Sequence, residues 1–197
     1  MKTLYLIRHG ESEANVNSQI YFAKNDHQIE LSPLGIDQAK LCGKSLVNKL
    51  KGKKECSIFY SPFLRAKHTA DVIDQEFVLA GIYGEMIEEP LIVERAWGHL
   101  NNIIDTTEFD RTKHFDFFYR PVGGESFLEC YQRVILFFRE LRRMSDDLPD
   151  TIIVVSHGEW MRLALMYLRR YTIEYFIEYR DNPKNCEIIE FSEFELK

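Results

Sequence analysis

Three short runs rich in β-branched and aromatic residues, TLYLI (3–7), SIFY (57–60) and TIIVV (151–155), constrain this chain more than any other feature. Each has the length of a strand and is apolar at successive positions, as a strand buried on both faces of a sheet must be. Each also ends at residues capable of chemistry. Arg8-His9-Gly10 follows the first, Ser61-Pro62 leads to Arg65 after the second, and Ser156-His157-Gly158 follows the third. Helical patterns over 33–50, 63–80, 126–144 and 159–170 alternate with these runs. The first opens at Ser32-Pro33, an N-cap residue followed by proline at the first helical position. Leu34, Ala39, Leu41, Leu46 and Leu50 supply its expected apolar face. The third carries Phe127, Tyr131, Val134, Ile135 and Phe138 at helical spacing. Such alternation predicts an α/β fold, a three-layer sandwich with a mostly parallel central sheet and helices on both faces. A short helix over 171–179 and an edge strand over 186–194 complete the expected elements. With no repeat or linker, the chain reads as a single domain spanning 1–197, interrupted by an irregular, aromatic-rich stretch at 99–124.

In open parallel sheets ligands bind beyond the carboxyl ends of the strands, so three parallel neighbours would bring these three segments to one cleft. Each histidine is followed by glycine, which permits a tight turn and close approach of backbone to a ligand. Helix N-termini after such turns favour an anion in the same place. Of the 197 residues 45% are hydrophobic, enough for a sizeable core without disulfides or a structural metal. Cys42, Cys56, Cys130 and Cys186 are scattered, with no C-x-x-C pair, the pattern of reduced thiols in the cytoplasm. A net charge of −6 argues against a nucleic-acid partner. It does not oppose a phosphorylated one, because arginines in a cleft act at contact distance while long-range repulsion is screened. The N-terminal apolar run is too short for a signal peptide, and no run reaches bilayer length, so no membrane partner is expected.

RHGESEAN (8–15) resembles the signature of the histidine phosphatase superfamily, which contains the cofactor-dependent phosphoglycerate mutases and fructose-2,6-bisphosphatases. Further pieces match in order: LSPLG (31–35), SPFLRAKHTA (61–70), Glu94 with Gly98 four residues on, GGES (123–126) and SHG (156–158). An ordered set spanning nearly the whole chain is far more specific than a lone RHG. The resemblance implies a phosphoglycerate mutase-like fold and a phosphohistidine intermediate formed on a small phosphorylated substrate.

By the same resemblance His9 is the nucleophile, a role suited to an imidazole that is largely neutral near pH 7. Arg8, Arg65 and His157 surround the phosphoryl oxygens, joined by Asn15, Ser12 and Gly158. Arginine's planar fork suits phosphate, and preorganised cations supply most of the rate in phosphoryl transfer, so neither metal nor cofactor is required. Glu94 is the proton donor to the leaving alkoxide and then the base for water, provided that burial or the incoming dianion raises its pKa. His27, His68, His99 and His114 have no motif support.

Several alternatives stand beside this reading. Ser12 can be an N-cap, Asn15 a turn residue and Glu94 a solvated charge beside Arg95. Two imidazoles and a carboxylate also match many metal sites, but two arginines in the same cleft would repel a cation. Mutase activity is the main rival to hydrolysis. Against it, the segment after Asn15 lacks the glycine-tryptophan pair of the mutases, and Arg111 and Arg120 are separated where mutases carry paired arginines. RHGESEAN, FFYRPVGGES and SHG also resemble the broad-range acid phosphatases of the superfamily. A non-enzymatic phospho-ligand binding module is the third alternative. Phe109, Phe115, Phe117, Phe118 and Tyr119 are read as a cap over the cleft, with plain core packing as the competing reading.

Overall fold

The structure is a computed structural model, and it describes residues 2–98, 117–179 and 182–194. Strands β1 (Lys2–Arg8), β2 (Glu55–Tyr60), β3 (Tyr83–Glu88), β4 (Thr151–Ser156) and β5 (Ile188–Phe194) form one sheet in the order β3-β2-β4-β1-β5. The first four run parallel, and β5 closes the β1 edge antiparallel. The central strand β4 is buried along its whole length, which is why its sequence is apolar at every step rather than at every second one. Alternate residues of the inner strands serve two cores. Leu4, Leu6, Ile152 and Val154 face one side, while Tyr5, Ile7, Ile153 and Val155 face the other. Each such Ile, Val or Leu contributes ~1.5–3 kcal/mol of transfer free energy on burial.

Helices α2 (Pro33–Lys49) and α3 (Leu64–Leu79) cover the second face. Helices α4 (Phe127–Arg143) and α5 (Gly158–Arg169) cover the first, where Trp160, Phe137, Phe138 and Phe59 form the largest apolar mass. A single turn, α1 (Glu13–Val16), follows β1, and α6 (Ile173–Glu178) precedes β5. The result is the α/β three-layer sandwich expected. Ser32 and Ser126 cap α2 and α4 as their positions suggested, Ser126 through a reciprocal capping box with Glu129.

The structure departs from the sequence reading in three places. Leu34 and Leu41 of α2 are exposed, and the buried stripe is instead Gly35, Ala39, Cys42, Gly43 and Leu46. Small residues face inward there because α2 lies close against α3, where a Cβ on Gly43 would meet the Glu76 side chain at 3.0 Å. Ile135 of α4 likewise lies outside the buried set of Phe127, Cys130, Val134, Phe137, Phe138 and Leu141. Strand β3 was not anticipated; it is a half-exposed edge, YGEMIE, with too little apolar patterning to stand out.

The two ends of the 99–124 stretch meet. Glu125 N donates to Ala96 O at 2.7 Å, and Gly98, in the left-handed region at φ 56°, lies so close to Gly123 and Gly124 that a Cβ there would overlap the Val122 carbonyl. Of the five aromatics assigned to a cap, Phe109 and Phe115 lie outside the described residues, as do Arg111, His99 and His114. Phe117 belongs to the core, 2% exposed and packed on Phe127 and Phe176, whereas Phe118 is exposed. Among the described residues no helix is long and apolar enough to cross a membrane, and all four cysteines are unpaired thiols.

Candidate active site

The site lies at the carboxyl ends of β1, β2 and β4. Register places Arg8 beside Ser156, and backbone bonds continue past the strands, from His9 N to Ser156 O at 2.9 Å and from Ser61 N to Val155 O at 3.1 Å. The loop after β1 is fixed from two sides. Gly10 N donates to Thr69 Oγ1 at 3.0 Å, and a Cβ on Gly10 would overlap the Gly35 carbonyl at the start of α2. The glycines of RHG and LSPLG therefore face each other because no side chain fits between those backbones.

His9 is 3% exposed. Its Nδ1 lies 2.7 Å from the Gly10 carbonyl, which can only accept, so Nδ1 carries the proton and Nε2 carries a lone pair. Arg65 Nε, which can only donate, points at Nε2 from 3.3 Å and requires the same tautomer. Burial first, then the charges of Arg65 and Arg8, hold the imidazole well below its ordinary value despite the Gly10 bond. The ring is thus a neutral base with its lone pair directed at the arginines.

His157 stands edge-on to His9, with ring centroids 5.2 Å apart. Its Nε2 meets Ser61 Oγ at 2.8 Å, and its Nδ1 is buried without a hydrogen-bond partner. Burial and the charge of Arg65 keep it, too, well below the usual imidazole range. Arg8 presents a second buried polar atom without a partner, Nε, while its Nη1 donates to the Pro183 carbonyl at 2.8 Å. Arg65, 3% exposed on the first turn of α3, is held by Asp26: Nη1 donates to the Asp26 carbonyl at 2.6 Å and lies 2.9 Å from its carboxylate. Orphaned donors around one spot are the geometry of an anion site.

Glu94, half-buried, lies on the loop after the 3-10 turn Pro90–Ile92 and caps α5 from outside. Its carboxylate accepts from Glu159 N at 3.3 Å and from Trp160 N at 3.2 Å, bonds that the N-cap residue His157 does not make. Burial, and then the Glu159 carboxylate, push Glu94 above the ordinary carboxylate range, against the backbone N–H groups that favour its charge. Gly158 opens the same helix, and a Cβ there would stand 3.6 Å from Arg8 Cζ, so its backbone lies directly against that guanidinium.

Ser12 and Asn15 occupy a reciprocal capping box at α1. Ser12 Oγ donates to Asn15 Oδ1 at 3.1 Å, and Asn15 Oδ1 also accepts from Ser12 N at 3.0 Å. The Ser12 hydroxyl thus serves the cap, the alternative role its residue type allowed. Asn15 retains only its amide nitrogen as a donor for a ligand.

Five further contributors were given no role by the sequence reading. Asn185 Nδ2 donates to His9 O at 2.9 Å, and Cys186 N to Arg8 O at 3.0 Å, so residues 182–187 brace the RHG backbone. Asp26 holds Arg65, and Ser61 meets His157. Tyr21 interacts electrostatically with Arg8, Arg65, Asp26 and Glu94; burial, with Asp26 next, pushes its phenol up to about 12, so it remains a donor at neutral pH. Only Ser61 carried a signal, through its place in the SPFLRAKHTA segment. Among the described residues no three His, Cys, Asp or Glu side chains converge to hold a metal ion.

Known proteins resemble this chain in sequence and in fold. The sequence profile of the histidine phosphatase superfamily (branch 1) matches residues 4–195. Phosphoglycerate mutase-like protein AT74 of Arabidopsis thaliana is 31% identical over 202 residues, covering 95% of this chain and 63% of that protein, so the chain spans less than two thirds of that relative. A 2,3-bisphosphoglycerate-dependent phosphoglycerate mutase of Methylorubrum extorquens is 30% identical over 179 residues, covering 85% of this chain and 79% of that protein. Among solved structures, a mycobacterial glucosyl-3-phosphoglycerate phosphatase in complex with VO3 shares the fold with a TM-score of 0.76 at 20% identity, over 98% of this chain and 91% of that one. With its profile matched almost end to end, the chain belongs to branch 1 of the histidine phosphatase superfamily.

Proposed function

We propose that this chain is a phosphomonoester hydrolase acting on a small phosphorylated molecule in the cytoplasm, a setting that suits its unpaired thiols. One observation carries the reading: the buried His9 ring is fixed as a neutral tautomer, with its Nε2 lone pair at the centre of a cluster of guanidinium and imidazole donors. Substrate phosphorus sits in line with Nε2. Its oxygens are bonded by Arg8 Nε, His157 Nδ1 and Arg65, with Gly158 N at the start of α5 and the Asn15 amide nitrogen completing the cradle. Arg65 turns from His9 Nε2 to a phosphoryl oxygen as the N–P bond forms, so the lone pair is released in the same movement that neutralises charge.

Glu94 protonates the departing alkoxide and then removes a proton from the water that cleaves phosphohistidine. The lowered His9 and raised Glu94 values both favour the protonation state this step needs, neutral imidazole with carboxylic acid. Hydrolysis is favoured over transfer to a second phosphoacid because the chain lacks the glycine-tryptophan pair and the paired arginines of the mutases. The test is hydrolysis of para-nitrophenyl phosphate and a panel of phosphorylated metabolites, run beside isomerisation of 3-phosphoglycerate. Release of inorganic phosphate without isomerisation is expected. Isomerisation exceeding phosphate release would assign the chain to the mutases, and neither activity at any pH would leave a binding module.

A further inference from the structure

Beneath the candidate proton donor lies a charged pair that none of these steps uses. Arg95 is 1% exposed and Glu159 4%, and Arg95 Nε donates to Glu159 Oε2 at 2.6 Å. The Arg95 guanidinium stacks between Trp97 and Phe127, 4.1 and 4.3 Å from their ring centroids, and Nη1 donates to the Glu125 carbonyl at 2.9 Å. Its Nη2 is buried without a partner. Desolvation of such a pair can exceed its own attraction, so fold stability gives weak reason for its presence. Its location gives a better one. Glu94 and Glu159 meet at the first turn of α5, Glu94 bonded to backbone N–H groups and Glu159 to a guanidinium. Two neighbouring carboxylates do not both ionise readily, and the one with the stronger cation keeps its charge.

We infer that Arg95 and Glu159 are positioning residues for Glu94: the pair clamps α5 to the Glu94 loop, and its fixed carboxylate charge makes Glu94 the member that holds the proton. The consequence for rate rests on the phosphatase reading; the titration itself does not. Other groups face Glu94 as well. Arg8 beyond β1 and Arg65 from α3 favour its anion, as does Arg133 from α4, while the Tyr21 phenol and the Cys130 thiol are neutral groups whose own values the Glu94 charge helps to raise. Arg65 is paired with Asp26, and Arg133 is held by both oxygens of Glu125 at 2.7 Å. A phosphate on Arg8 and Arg65 offsets their pull on Glu94, and Glu159 is then the neighbour that decides.

The experiment follows the Glu94 carboxyl carbon by NMR through an acid-to-neutral titration of the full chain labelled with 13C-glutamate, with Glu94→Gln identifying the signal. In the unaltered protein Glu94 is expected to take up its proton above the ordinary carboxylate range. In Glu159→Gln, which keeps the shape and removes the charge, the Glu94 midpoint falls by ~1 pH unit, a tenfold loss of proton affinity. Hydrolysis of an alkyl phosphate at neutral pH then falls about 10-fold, while para-nitrophenyl phosphate, whose leaving group needs little protonation, changes by less than about 2-fold. Arg95→Lys, which keeps a cation, retains most of the alkyl phosphate rate. An unmoved Glu94 midpoint in Glu159→Gln overturns the inference. Should that variant fail to fold, a Glu94 midpoint no higher than the ordinary Glu value of ~4.3 in the unaltered protein overturns it as directly. Titrations as expected in a protein without hydrolytic activity would support the pair's role and count against the phosphatase reading alone.

Discussion

Two His-Gly dipeptides end adjacent parallel strands, β1 and β4, in matched register, yet their surroundings give them opposite chemistry. His9 has a partner for each ring nitrogen, a carbonyl on Nδ1 and a guanidinium on Nε2, and the two together leave a lone pair facing the cations. His157 has Ser61 on Nε2 and an unsatisfied Nδ1, the arrangement of a donor waiting for an anion. The glycines differ likewise. Gly10 is required by the Gly35 backbone, whereas Gly158 opens a helix against Arg8. The dipeptide alone does not distinguish the two rings; the partners of their Nε2 atoms, and the presence or absence of one on Nδ1, do.

Exchange of either ring for alanine breaks the comparison most severely. His9→Ala is expected to lower kcat for para-nitrophenyl phosphate by ~10⁴-fold or more, because no other group can carry the phosphoryl. His157→Ala removes one donor to the transferring group and should cost ~10²–10³-fold, with covalent chemistry intact. Equal losses in the two variants, measured by steady-state kinetics, would erase the distinction drawn between the rings. Gly10→Ala sharpens it from the backbone side. The added methyl overlaps the Gly35 carbonyl, so a stability loss of ~1–3 kcal/mol is expected in denaturant unfolding. Gly158→Ala has more room and should unfold close to the unaltered protein.

The smallest expected effect is on the pH dependence of stability. Both rings have folded values held well below the ordinary imidazole value of ~6.5. The unfolded chain therefore binds protons that the folded chain refuses, and stability present above that value is lost as pH falls toward the lowered folded values. Thermal unfolding should show Tm dropping through this window, with a shallower slope in a His9→Ala/His157→Ala double variant.

The parts legible in the sequence are those where one physical demand dominates. Strands β1, β2 and β4 stood out because burial on both faces favours continuous apolar runs, bounded by small hydroxyl residues such as Ser57 and Thr151, and the residues that end them converge because parallel strands point the same way. Edge strand β3 had no such demand on its exposed residues. The α2 face was misread because close approach of Gly35 to the Glu11 backbone and of Gly43 to α3 selects small residues on the inward side, while the larger Leu34 and Leu41 are exposed. Asn185, through its side-chain amide, and Cys186, through its backbone N–H, act on the RHG loop from about 176 residues away in sequence, a separation that no local pattern spans. Ser12 shows the opposite limit. Its residue type fitted both a ligand contact and a cap, and only the Asn15 geometry reveals the cap.

The most direct test of the nucleophile is a rapid-quench experiment with a 32P-labelled phosphomonoester under alkaline conditions that preserve phosphohistidine. Label recovered on the peptide containing His9, formed and consumed at the turnover rate and absent from His9→Ala, is the result expected. Steady turnover with no protein-bound label, or label on the His157 peptide, would contradict it.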